Sequence, residues 1–74
     1  MRVTYDRSVD AAYILLEGGI SFGRAKNSYQ CDINKVGGMI NLDFDTEGKL
    51  IGIEVLSAKH LLPKDLLDQA GMVI

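Results

Sequence analysis

Cysteine occurs once in these 74 residues, at Cys31, so no disulfide can form within the chain. That points to a reducing, cytoplasmic setting. Histidine also occurs once, at His60. A structural metal needs clustered ligands, so neither lone residue is expected to hold one. No signal-peptide pattern is visible, since Arg2 leads into mixed residues rather than an apolar run. No apolar stretch nears the roughly 20 residues that a membrane span requires, so no membrane partner is expected. The 8 Lys and Arg residues are scattered and the net charge is −2. Without a basic stripe to neutralise phosphates, no nucleic-acid partner is expected either. Gly18-Gly19 and Gly37-Gly38 lack the spacing and the following helix of a phosphate loop, and no cofactor is implied.

What is present is an ordinary globular composition, 47% hydrophobic with both charge signs mixed. The length allows one domain over residues 1–74, with a sheet in 1–56 and a helical tail in 57–74. A chain this short buries only about 60% of its unfolded surface. With disulfide and metal set aside, association with a second copy is the expected stabiliser, which predicts a homodimer.

The pattern along the chain is mostly period two. Arg2 to Tyr5 reads as a strand with Val3 and Tyr5 on one side. Asp6 to Asp10 breaks it, with Asp6 and Ser8 placed to accept from backbone N–H groups just downstream. Ala12 to Leu16 resumes, with Ala12, Ile14 and Leu16 on one face and Tyr13 and Leu15 on the other. Glu17-Gly18-Gly19 reads as a turn. A third strand falls within 20–32, with Arg24, Lys26, Ser28 and Gln30 facing water and Ala25, Tyr29 and Cys31 facing inward. Ile33 to Gly38 reads as a loop.

Met39 to Phe44 and Lys49 to Val55 form a hairpin around Asp45-Thr46-Glu47-Gly48. A four-residue loop pairs Phe44 with Lys49, Leu42 with Ile51 and Ile40 with Ile53. Beyond it, Ser57 is placed to cap a helical turn over 58–60. Pro63 suits the first position of a helix carrying Leu62, Leu66, Leu67 and Ala70 at helical spacing, stopped by Gly71. The predicted fold class is α+β: a twisted antiparallel sheet of four to five strands, built from hairpins or a meander, with a short C-terminal helix.

The hairpin also mimics a calcium loop. Asp43, Asp45, Glu47, Gly48 and Glu54 sit at positions one, three, five, six and twelve of an EF-hand. That loop joins helices, whereas these flanks alternate with period two. An extended Lys49 to Val55 carries Glu54 about 20 Å along the strand from Gly48, too far to share an ion. A weaker cation site from Asp43, Asp45 and Glu47 alone is the residual metal candidate. The plain alternative is three wet acids on a hairpin tip.

Four residues make a candidate polar site: Tyr5, Asp6, Asp10 and Tyr13. The two carboxylates suit acid–base or metal chemistry, but such a pair more often orders a turn. The tyrosines suit a core role with a wet hydroxyl. Leu62, Leu66 and Leu67 form a candidate interaction face, which packing on the chain's own sheet would equally explain.

Tyr5-Asp6, Asp10-Ala11-Ala12-Tyr13-Ile14, Gly38-Met39-Ile40, Asp43-Phe44-Asp45 and Gly48-Lys49-Leu50-Ile51-Gly52-Ile53-Glu54-Val55-Leu56 together resemble the small bacterial proteins grouped as domain-of-unknown-function family 2283. The resemblance covers roughly 1–62. It implies a compact cytoplasmic domain and brings no catalytic residues. It also implies a partner or antitoxin role beside a small toxin-like protein. The loop at Ile33 to Gly37 and the leucine-rich tail depart from the pattern.

The expected function is therefore a non-catalytic protein-interaction module, a homodimer that also takes a partner protein. The alternatives are a small hydrolytic or metal-dependent enzyme using Asp6, Asp10 and Tyr13, and a cation-binding module at the 43–48 turn.

Overall fold

The computed structural model describes residues 1–16 and 27–72. The turn expected at Glu17-Gly18-Gly19 and the orientations expected for Arg24, Ala25 and Lys26 lie outside the described residues. Five antiparallel strands form the sheet: β1 (Arg2–Asp6), β2 (Ala11–Leu15), β3 (Asn27–Gln30), β4 (Ile40–Phe44) and β5 (Leu50–Leu56), in the order β3-β4-β5-β2-β1. A two-residue β6 (Gly71–Met72) adds in parallel to β1. Three short helices accompany them: α1 (Ile33–Val36), α2 (Ala58–Leu61) and α3 (Lys64–Gln69). The order departs from a plain meander at one place. β2 lies between β1 and β5, and β3 lies at the far edge beside β4.

Strand alternation sorts the side chains. Tyr5, Ala12, Val55 and Ile40 lie directly opposite one another across four strands, and Val3, Ile14, Ile53, Leu42 and Tyr29 form the next row on that face. Thr4, Tyr13, Glu54, Asn41 and Gln30 form a row on the other. The first, inner face meets α2 and α3. Tyr5, Ala12, Val55 and Ala58 are its buried centre, and Ile40, Ile53, Leu61, Leu62, Leu67 and Ala70 pack against them.

The hairpin is one residue tighter than a four-residue loop, and a bulge then shifts the pairing by one more. The Asp45 N–H donates to the Lys49 carbonyl, the Gly48 N–H donates to the Asp45 carbonyl, and Gly48 takes φ +80. This is a three-residue loop closed by Asp45 and Lys49, of the kind that needs a left-handed residue in third place. Phe44 consequently faces Leu50 rather than Lys49. A bulge follows, so Asp43 faces Gly52, Leu42 faces Ile53 and Ile40 faces Val55. The expected register is thus wrong by two residues along most of the ladder. Because the side-chain period is two, the same apolar residues still share one face.

Three local expectations are corrected. Ile33 to Val36 is a helical turn rather than a loop: the Asp32 carboxylate accepts from the Asn34 N–H at 2.9 Å, and Gly37 ends the turn at φ +82. The Ser57 side chain makes no cap hydrogen bond, and the residue sits at φ +57. Asp10, across the fold, satisfies the Ala58 and Lys59 N–H groups, and the Ser57 carbonyl takes the His60 N–H. Tyr29 lies in an inner-face row yet is 62% exposed, because β3 is an edge strand outside the cover of α2 and α3.

Candidate functional site

Asp10 ends the β1–β2 turn in the left-handed region, at φ +54. That conformation suits a short polar side chain and turns Asp10 toward α2. Its carbonyl accepts from the Ala58 N–H at 3.0 Å, and its carboxylate Oδ1 accepts from the Lys59 N–H at 3.0 Å. The same oxygen accepts from the Tyr5 hydroxyl at 2.7 Å. One residue thus caps a helix 49 positions away and satisfies the hydroxyl of a core tyrosine. The Tyr5 bond, with Lys59 adding its N–H and charge, holds the Asp10 carboxyl below its ordinary 3.8, against the opposing effect of burial. That bond, with burial and the Asp10 charge, raises the Tyr5 hydroxyl above its ordinary 10.0, while Arg7 pulls it down.

Asp6 does separate work. Its Oδ1 accepts from the Ser8 N–H at 3.0 Å and the Ser8 hydroxyl at 2.7 Å, which shapes the turn locally. Ser8 therefore donates to this turn, where the sequence suggested an acceptor.

Tyr13 lies on the opposite face of the sheet. Its hydroxyl donates to Asp43 Oδ2 at 2.8 Å, and the Ser28 hydroxyl donates to Asp43 Oδ1 at 2.6 Å. Beside them, Asn41 Nδ2 donates to Glu54 Oε1 at 3.0 Å. Burial first, then the Asp43 bond and the charges of Asp43 and Glu54, push the Tyr13 hydroxyl up to about 12. The ring reaches Asp43 because it crosses Gly52, where no side chain intervenes. The four residues of the candidate polar site are therefore divided: Tyr5 and Asp10 together on the inner face, Asp6 in the turn, Tyr13 on the outer face.

The tip acids also take separate roles. Asp43 receives Tyr13 and Ser28, and Asp45 Oδ1 accepts from the Glu47 N–H at 2.8 Å and the Lys49 N–H at 3.0 Å. Glu47 is exposed. Among the described residues, no three His, Cys, Asp or Glu side chains are grouped to hold a metal. In the tail, Leu62 and Leu67 pack against the chain's own core, and Leu66 is half-buried. Cys31 is half-buried just past β3, and its N–H donates to the Ile40 carbonyl.

Two features went unseen in the sequence. All four residues of β3 are exposed at the end of the sheet, and exposed Ile33 and Val36 follow in α1. Arg7, far in the chain from Lys59 and Lys64, lines a single cleft with them.

A family model described as a protein of unknown function (DUF2283) matches residues 2–59 of this chain. The chain belongs to that family. The match spans all five antiparallel strands, Asp10 and the start of α2, and leaves α3 and β6 outside. No curated protein and no solved structure gives a match. No helix among the described residues is long and apolar enough to cross a membrane.

Proposed function

We propose that this protein is a non-catalytic interaction module that pairs with a second copy of itself along the outer edge of β3. The observation that carries this reading is the character of that edge. β3 is paired only with β4 among the described residues, and its four residues are all exposed. Native edge strands are usually guarded by charge, proline or a bulge. Asn27, Ser28, Tyr29 and Gln30 carry no charge and no proline, and the β3–β4 pairing runs without a register shift. Antiparallel pairing of two such strands about a twofold axis is self-complementary and brings no like charges together. Exposed Tyr29, Ile33 and Val36 supply apolar surface beside the axis.

The non-catalytic part of the reading is supported by the division of the polar groups. Tyr5, Asp6, Asp10, Tyr13 and Asp43 are each engaged in a bond that holds a turn, a helix start or a strand pair.

The test is amide exchange at low and high protein concentration. The Cys31 N–H points to β4. By antiparallel alternation the Ser28 and Gln30 N–H groups point outward. Their exchange slows as concentration rises if β3 pairs with its copy. Exchange at Ser28 and Gln30 that ignores concentration overturns the reading. A partner of different sequence, such as the small toxin-like protein that the resemblance implies, would use the same edge, and the mass of the complex separates the two.

A further inference from the structure

Three of the chain's 8 basic side chains meet at one place. Arg7 from the β1–β2 turn, Lys59 from α2 and Lys64 from the start of α3 line a cleft of about 360 Å³ with Tyr5, Leu67 and Asp68. Three cations against one carboxylate leave these walls at +2, in a chain whose net charge is −2. Asp10, whose Oδ1 accepts from the Tyr5 hydroxyl and the Lys59 N–H, places a second carboxylate behind the wall, and the three cations still outnumber the two acids. Lys64 is paired with Asp68 at 2.7 Å, but the two side chains are 85% and 53% exposed. Such a pair contributes little in water and yields to a stronger anion.

We propose that this cleft binds a small phosphate monoester whose organic part rests on Leu67 and Tyr5. The sign of the charge is complementary, because the walls are net cationic and a phosphate monoester carries about −1.5 to −2 at pH 7. The geometry is matched as well. Arg7 offers a planar fork suited to two phosphate oxygens, and lysines supply compact charges around it. The volume lies at the small end of the usual range for ligand clefts, about 300–1,000 Å³. A macromolecular polyanion fits less well, since the other basic residues do not line this cleft. Lys64, Leu67 and Asp68 lie beyond the family match, so the cleft joins the family's sheet to this chain's tail. The proposal stands apart from the β3 edge and survives or fails without it.

The test is a titration of the full chain with phenyl phosphate, followed by backbone amide shifts, with benzoate and inorganic phosphate as comparators. The expected result is saturable shifts at Arg7, Lys59, Lys64 and Leu67 at millimolar ligand or below. Phenyl phosphate should bind tighter than either comparator, and added salt should weaken it. Arg7→Gln and Lys59→Gln should each weaken binding about tenfold, the loss of one charge-assisted bond. Both side chains are exposed, so both variants should keep the wild-type spectrum. Shifts that do not saturate overturn the proposal. So does benzoate binding as tightly as phenyl phosphate, or unchanged affinity in both variants.

Discussion

The Tyr13 ring lies across Gly52, so closely that a Cβ on that glycine would sit 1.9 Å from the phenolic oxygen and 2.4 Å from Cζ. Gly52 is opposite Asp43 in the ladder, and the Tyr13 hydroxyl continues over it to the Asp43 carboxylate. A residue with no side chain is what lets a β2 tyrosine reach a β4 acid across the whole width of β5.

Gly52→Ala should therefore force Tyr13 off its bond. The expected cost is about 1–3 kcal/mol in urea denaturation, from overpacking and the lost hydrogen bond. In a Tyr13→Ala background the obstacle is gone, and the same glycine substitution should cost close to nothing. Equal costs in the two backgrounds would show that the ring does not depend on the glycine.

Tyr13 also sets an alkaline limit. Its hydroxyl is pushed up to about 12 in the folded chain, against an ordinary 10.0. Between those values the unfolded chain has lost the proton and the folded chain keeps it, so stability is complete below 10.0 and declines as pH rises toward about 12. The decline attributable to Tyr13 is about 1–2 kcal/mol, less than the full shift implies because solvent screens a partly exposed hydroxyl. Tyr13→Phe, compared with the parent by denaturation at successive pH values, should remove that part of the slope.

Asp10 sets the acid limit with the opposite sign. Its pKa is lowered from the ordinary 3.8, so its contribution is present above that value and is lost as pH falls through the folded value. Asp10→Asn keeps an acceptor for the Tyr5 hydroxyl and the Lys59 N–H while removing the titration. Acid unfolding followed by circular dichroism should show a shallower limb for the variant. An unchanged limb would mean that Asp10 does not link the β1–β2 turn to α2 in the way described.

Val55 tests the core in the simplest way. It is 1% exposed, between Ala12 and Ile40 in its row and packed in the cluster with Tyr5 and Ala58. Val55→Ala should cost roughly 2 kcal/mol in chemical denaturation. A negligible change would place the centre of the core elsewhere.

Much of the sheet was legible because apolar alternation survives errors of register. The tighter turn at Asp45 and Lys49 and the bulge beyond it each shift the pairing by one residue, and together they restore the face. Strand order was not legible, since nothing local states that β2 borders β5. Asp10 was recognised as a turn former, but its service to Lys59 is a long-range bond that no nearby spacing encodes. Ser57 looked like the better cap for the same reason. The α1 turn carried readable signals, Asp32 before it and Gly37 after it, overshadowed by its brevity and its Gly-Gly ending. The cationic cleft depends on the chain returning α3 beside the β1–β2 turn, which period and composition do not report.

The central functional claim is self-pairing through β3, and sedimentation equilibrium at micromolar concentration tests it most directly. The chain has a mass of 8.1 kDa, so the account predicts twice that for the parent. It predicts 8.1 kDa for Gln30→Pro, which removes an outward N–H, and for Tyr29→Lys, which places a charge on the edge. A parent that sediments at 8.1 kDa, or variants that keep the doubled mass, would contradict it.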